Sequence, residues 1–328
     1  MNFRLVIIVV KQILGEIEEE LWLLEEDINT AIHTNINFIR EPLKEMILNG
    51  GKRLRPAMVL SAARFGNYNY KDIKKIAVIV ELIHTATLIH DDIVDDSNIR
   101  RGIPSLQSRL GKDVAVFAGD FVFCRVFELL TSFGDTTILK NVSRVMSQIC
   151  EGELKQREDA FNTEISIKDY LFRIRRKTAL LFALSCKLGA ITSDVPHDYI
   201  RYLFYYGLNI GMAFQVIDDL LDIIGDEDKL GKPLGVDIKE GVVTLPTLYA
   251  LRYSEEKERL KEILSKPEKE EDIEQALNII KSSGAVDYTK QFAHRYIKKA
   301  CHMLTCLPEK PIRKVLIEVS EHIITRCQ

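Results

Sequence analysis

Residues 73–96 read IKKIAVIVELIHTATLIHDDIVDD, and their periodicity decides the fold. Apolar side chains recur on several sides of a 3.6-residue turn instead of alternating, which predicts a helix buried in the middle of a bundle. Residues 113–130 (DVAVFAGDFVFCRVFELL) and 199–224 (YIRYLFYYGLNIGMAFQVIDDLLDII) have the same character. Amphipathic helices are predicted at 11–31, 38–48, 138–158, 167–190, 255–265, 270–282, 286–305 and 311–325, with breaks at Gly50-Gly51, Gly102 to Pro104, Gly134, Ser193 to Pro196 and Gly225 to Pro233. Asn49-Gly50 lacks the flanking alternating strands of a hairpin. No repeat, low-complexity tract or flexible linker interrupts the pattern. The expectation is an all-α chain: residues 1–328 as a single domain, a bundle of about ten or more helices around a deep central cavity.

Composition narrows the function. Lys+Arg number 45 and Asp+Glu 48, a net charge of -3 that provides no whole-molecule field for nucleic acid or an anionic membrane. With 46% hydrophobic residues but only 17 Gly and 9 Pro, disordered, collagenous and many-turned all-β chains are disfavoured. The apolar run Leu5 to Val10 ends at Lys11, too short for a membrane span and without a cleavage site after it. The six cysteines form no CxxC pair, and Cys301, His302 and Cys306 fit no common zinc spacing, so free thiols in a reducing compartment are expected. The protein is read as soluble and cytoplasmic.

The chemistry lies in two acidic motifs. Asp91-Asp92-Ile93-Val94-Asp95 ends one apolar helix, and Asp218-Asp219-Leu220-Leu221-Asp222 lies near the end of another. At 100° per residue, Asp91 shares a face with Asp95, and Asp218 with Asp222. Like charges so placed destabilise a helix, and its C-terminal dipole disfavours anions. One such helix end alone is readily explained as a solvated surface. Two, each closing a long apolar helix, call for positive charge between them, and oxygen-only ligands that leave room for water favour Mg²⁺. A diphosphate held through several ions suits opposed acidic clusters, and metal-bound diphosphate is a good leaving group.

Basic residues answer these motifs. Lys52, Arg53 and Arg55 flank Gly50-Gly51; Arg100-Arg101 follows the first motif; Arg173, Arg175, Arg176 and Lys177 precede Thr178; Lys232 and Lys239 follow the second motif. Guanidinium forks and ammonium charges suit phosphate oxygens, although any one of them alone is ordinary surface charge. GxxxxGK[ST] and GxGxxG are both absent, which disfavours nucleotide folds.

The chain resembles the trans-isoprenyl diphosphate synthases of the polyprenyl synthetase family, of the geranylgeranyl or longer polyprenyl type. The resemblance is carried by GGKRLRP, ELIHTATLIHDDIVDDSNIRRG, AGDF, KTA, FQVIDDLLD and GKPLGVDIKEG, in the family's order over roughly residues 40–250. It implies an isoprenoid synthase-type fold and head-to-tail elongation of an allylic diphosphate by isopentenyl diphosphate. Asp91, Asp95 and Asp218 would bind Mg²⁺, about three ions per site, with Asp92, Asp219 and Asp222 in support. Arg100, Lys177 and Lys232 would hold the allylic diphosphate, and Lys52, Arg55, His84 and Arg101 isopentenyl diphosphate. Thr178 and Gln215 would lie beside the developing cation. Where the family usually has Lys after Glu-Gly, Glu240-Gly241 is followed by Val242, with Lys239 a speculative substitute.

Ala86 and Thr87, about a turn before Asp91, are small, so the pocket below the carboxylates should be deep and the product C20 or longer, with C30–C40 favoured. Phe117, Phe121, Phe123 and Phe127 read as a pocket floor or, better, as core packing or a dimer interface; Gly207, Gly211 and Gln215 form a ladder suited either to substrate approach or to tight helix packing. The resemblance also implies a homodimer. The alternatives are a catalytic subunit of a heteromeric long-chain synthase, a non-catalytic partner subunit, and a class I terpene cyclase. The retained aspartates count against the non-catalytic subunit, and the second DDxxD counts against the cyclase.

Overall fold

The computed structural model describes residues 15, 17–48, 51–100, 102–227, 233–267 and 269–325. The expected all-α architecture is present. In chain order the helices are α1 (Glu18–Ala31), α2 (Asn37–Leu48), α3 (Leu54–Ala63), α4 (Tyr70–Val94), α5 (Leu106–Leu110), α6 (Lys112–Thr131), α7 (Thr136–Glu158), α8 (Ile167–Ile174), α9 (Leu180–Thr192) and α10 (His197–Ile224). A single turn α11 (Val236–Lys239) follows, then α12 (Leu245–Tyr253), α13 (Lys257–Ser265), α14 (Glu270–Ser282), α15 (Ala285–Thr305) and α16 (Pro311–Thr325). Among the described residues the only sheet is a two-residue antiparallel hairpin, β1 (Ile99–Arg100) with β2 (Ile103–Pro104), in the connection after the first acidic motif.

The chain divides into two compact units, each assembled from separate stretches of sequence. The first is Met1–Val142, Leu184–Phe204 and Leu307–Leu316; the second is Ser143–Ala183, Tyr205–Cys306 and Ile317–Gln328. In the first, α4 packs along α6. Ile76, Ile79, Val80, Leu82 and Ile83 of α4 and Ala115, Ala118, Val122 and Val126 of α6 are all buried. Each large aliphatic side chain so buried contributes roughly 1.5–3 kcal/mol, which offsets the entropy of ordering the helix. The core of the second unit joins Ile223 of α10 to Ile238, Ala250, Leu260, Ile263, Ile279, Ile280 and Ala285 from α11 to α15.

Besides the short helices α5 and α11 and the β1–β2 hairpin, which no predicted segment covers, three features differ from the sequence expectation. Residues 54–63 (LRPAMVLSAA) form α3 without a predicted helix there; Pro56 to Ala63 are all buried, and a helix covered on every side leaves no amphipathic period to read. α12 is nine residues long, buried from Leu245 to Leu248 and exposed at Arg252 and Tyr253, which leaves too short a period to read, with Pro246 tolerated in its first turn. The stretch expected as one helix over 167–190 is instead α8, a π-helical turn Arg175–Ala179 and α9. The first predicted helix is seen from Glu18; its expected start at 11–14 lies outside the described residues.

Candidate active site

α4 has an Asn69 cap, whose side chain accepts from the Lys71 N–H, and it ends at the first acidic motif. There the Asp95 N–H donates to the Asp91 carbonyl (2.8 Å) and the Ser97 N–H to the Asp92 carbonyl (2.9 Å), while Asp96 takes the left-handed conformation. The three aspartates are not equivalent. Asp91 and Asp95 are half-buried, whereas Asp92 is 1% exposed. Asp92 accepts from Arg100 Nε at 2.7 Å and also meets Arg100 Nη2, so the hairpin returns a guanidinium to the one buried carboxylate. The connection is held in turn by Ser105 and Gln107, which both donate to the Ser97 carbonyl.

Further back on α4, Ala86 is fully buried, and His84 and Thr87 are half-buried, with the Thr87 hydroxyl donating to the His84 carbonyl (2.8 Å). His90 packs on α6 over Gly119 of AGDF, where a Cβ would stand 2.2 Å from His90 Nε2. Phe123 lies against His90 with ring centroids 5.7 Å apart. Phe117 and Phe127 are exposed, Phe117 by 71%, which excludes both a pocket floor and core packing for these two.

The GGKRLRP cations divide by role. Arg53 sits in the left-handed conformation at the start of α3 and is buried, donating to Glu25 (2.6 Å), Glu81 (2.5 Å) and the Ile47 carbonyl (2.8 Å). Burial alone would lower its pKa, but Glu81 and Glu25 more than reverse that, and it is raised. Lys52 and Arg55, on either side, are half-buried. Glu25 and Glu81 were missed in the sequence. Glu81 carried a usable signal: a carboxylate inside an apolar helix face requires a partner.

In the second unit, the Ser166–Asp169 capping box starts α8, and the π-helical turn then presents Lys177 and Thr178. A π-turn adds a residue to the helical circuit and re-aims the side chains it carries. Lys177 pairs with Glu153 (2.9 Å) of α7. The Thr178 hydroxyl donates to Gln215 Oε1 (2.6 Å), Gln215 Nε2 donates to Asp219 Oδ1 (2.8 Å), and the buried Tyr170 hydroxyl donates to Asp219 Oδ2 (2.7 Å). Burial pushes Asp219 up to about 6, against the hydrogen bonds from Tyr170 and Gln215 and the nearby Arg173, which hold it down. Asp222 is 1% exposed and accepts the Asp237 N–H (3.1 Å), while Asp218 is half-buried. Gly211 is the point where α10 touches the π-turn: a Cβ there would lie 2.5 Å from Ala179 Cα, so tight packing explains this rung of the glycine ladder. Val242 donates its N–H to the Asp237 carbonyl (2.7 Å), and Lys239 is exposed. Arg101 and Lys232 lie outside the described residues.

Among the described residues no group of three or more His, Cys, Asp or Glu side chains gathers as a ready-made metal cage. Asp91 with Asp95, and Asp218, are carboxylate donors with solvent on one side. Such a set fits Mg²⁺, which takes one or two carboxylates and completes its shell with water and phosphate oxygens.

The fold and these groups define an all-α enzyme class with two DDxxD helix ends, each having an outward-facing carboxylate and a buried, held neighbour. Residues 36–280 match the polyprenyl synthetase family. The heptaprenyl diphosphate synthase component 2 of Geobacillus stearothermophilus is 36% identical over 94% of this chain and 96% of its own length. The octaprenyl diphosphate synthase of Escherichia coli is 33% identical over 91% and 94%. The crystal structure of a polyprenyl synthase from Caulobacter crescentus, complexed with calcium and isoprenyl diphosphate, aligns with a TM-score of 0.93 and 35% identity over 97% and 98%. The chain belongs to the polyprenyl synthetase family. No helix among the described residues is long and apolar enough to cross a membrane.

Proposed function

We propose that this chain condenses isopentenyl diphosphate head-to-tail with an allylic diphosphate, giving an all-trans polyprenyl diphosphate of C20 or longer, with C30–C40 favoured. The observation that carries the reading is the paired motif on a family chain: at each helix end the central aspartate is buried and held, and an outer one meets solvent. The family assignment favours synthase over terpene cyclase.

Asp91, Asp95 and Asp218 would hold Mg²⁺, about three ions per site. When bound, the metal neutralises charge developing on the departing diphosphate. Arg100, Lys177 and Lys232 orient the allylic diphosphate, with Arg100 also holding Asp92. Lys52, Arg55, His84 and Arg101 hold isopentenyl diphosphate. Thr178 and Gln215 place oxygen atoms beside the allylic cation as the C–O bond breaks; the isopentenyl double bond attacks, and the released diphosphate takes the proton. Asp92, Asp219 and Asp222 keep the ligating carboxylates oriented. Lys239 substitutes for the lysine that Val242 replaces.

Both units act as one catalytic domain in the cytoplasm, as a homodimer; the exposed Phe117 and Phe127 of α6 support a partnered surface. The name of the Geobacillus relative, a synthase component, favours a second reading, a catalytic subunit that needs a dissimilar partner for long-chain work. Purified protein given Mg²⁺, farnesyl diphosphate and labelled isopentenyl diphosphate should yield products of C20 or longer; no elongation alone or with cell extract overturns the assignment. Ala86→Phe, which fills a fully buried position, should shorten the products, and an unchanged distribution contradicts the assigned role of Ala86.

A further inference from the structure

Tyr170 lies outside both acidic motifs and is fully buried 49 residues before Asp219, yet its hydroxyl meets the Asp219 carboxylate at 2.7 Å. The bonds beyond it have a forced direction. A carboxylate only accepts, so the group Gln215 turns toward Asp219 must be its NH₂; the carbonyl oxygen therefore faces Thr178, and the Thr178 hydroxyl must donate to it at 2.6 Å. Every proton in the chain Thr178–Gln215–Asp219–Tyr170 points toward the carboxylate. The Thr178 oxygen is thereby left with its lone pairs, not its proton, for whatever lies beyond it.

We propose that Tyr170 is a positioning residue for prenyl transfer: by occupying one oxygen of Asp219 it keeps the other for Gln215, and so locks the Thr178 hydroxyl with its lone pairs toward the allylic cation. This rests on the reading of Thr178 and Gln215 as neighbours of that cation. Without Tyr170, Asp219 is free to rotate, the Gln215 amide loses the anchor that fixes its flip, and an NH₂ turned to Thr178 would direct the hydroxyl proton at developing positive charge. Ground-state binding of the diphosphates, which other residues supply, is untouched. The lock therefore acts on kcat and not on KM. Arg173, buried and donating to the Val243 carbonyl (2.6 Å), keeps a positive charge close to this carboxylate without entering the chain.

The test is steady-state kinetics of Tyr170→Phe, Gln215→Leu and the double variant, with Mg²⁺, farnesyl diphosphate and isopentenyl diphosphate. The wild-type enzyme comes first, alone and with cell extract: if it forms no product either way, the reading of the function fails and not this assignment. Tyr170→Phe keeps the ring and should lower kcat about ten-fold, at the low end of what outer-sphere partners are worth, with KM for both substrates within two-fold; a buried carboxylate oxygen left one donor short should also lower Tm. Because Gln215→Leu already disconnects Tyr170 from Thr178, adding Tyr170→Phe to it should change kcat by less than about two-fold. Wild-type kcat in Tyr170→Phe, or a full further loss in the double variant, overturns the proposal. Should Tyr170→Phe fail to fold, Gln215→Leu, which leaves the Tyr170–Asp219 bond in place, must show the same kcat loss, and wild-type turnover there overturns it.

Discussion

The two acidic helix ends share a sequence pattern and solve its electrostatics differently. At the first, the buried carboxylate Asp92 is met by a cation, the Arg100 guanidinium carried on the hairpin. At the second, the buried Asp219 accepts from two neutral donors, Tyr170 and Gln215, with the positive charge of Arg173 nearby, and Asp222 accepts a backbone N–H among its contacts. The first buried carboxylate is therefore held by a charged donor, and Asp219 by uncharged ones. A repeated motif says which atoms are offered to a ligand; it does not say what holds them.

The largest effect should come from the outward carboxylates, where the two ends are expected to behave alike. Asp91→Ala and Asp218→Ala should each lower turnover by about a thousand-fold while circular dichroism and Tm stay close to wild type. Near-wild-type condensation by either would break the symmetry of function between the ends. Next comes the cation that distinguishes them. Arg100→Met removes the Arg100 guanidinium from the buried Asp92 and should cost about 2 kcal/mol in chemical denaturation, less than a fully buried pair because Arg100 is 31% exposed. Combining it with Asp92→Asn should recover part of that loss; no recovery would mean that the pair is not what holds the first end.

The glycines sharpen the contrast further. Gly211→Ala drives a methyl group into the Ala179 backbone and should cost about 1–2 kcal/mol, whereas Gly119→Ala meets the His90 ring, which can swing aside, and should cost less. Equal losses in Tm would remove the distinction between a backbone-seated second end and a side-chain-seated first one. The smallest effect concerns the helix that carries Tyr170: Ser166→Ala removes half of the capping box of α8 and should cost about 1 kcal/mol with kcat retained, as read by thermal melts alongside turnover.

Much of this was legible in the chain. The apolar runs of α4, α6 and α10 and the DDxxD ends they carry were read from local spacing, because helix periodicity and i,i+4 neighbours are properties of a few consecutive residues. What stayed hidden has two physical causes. α3 is buried almost throughout, and α12 over its first turn, so no regular polar face marked them. The π-turn at 175–179 leaves no mark in composition, and Tyr170 and Asp219 are brought together from 49 residues apart. The cation cluster shows the limit most plainly: Lys52, Arg53 and Arg55 look equivalent in sequence, and only burial beside Glu25 and Glu81 commits Arg53 to holding the fold.

The sequence by itself determined the helical class, the acidic motifs and which family the chain resembles, since each is written in short-range pattern. Only the tertiary structure decided which aspartate of each motif is buried and which meets solvent, which arginine is structural, and which way the Thr178 hydroxyl points. Those are set by desolvation and by the fixed donor and acceptor roles of groups distant in the chain, and no local pattern encodes them.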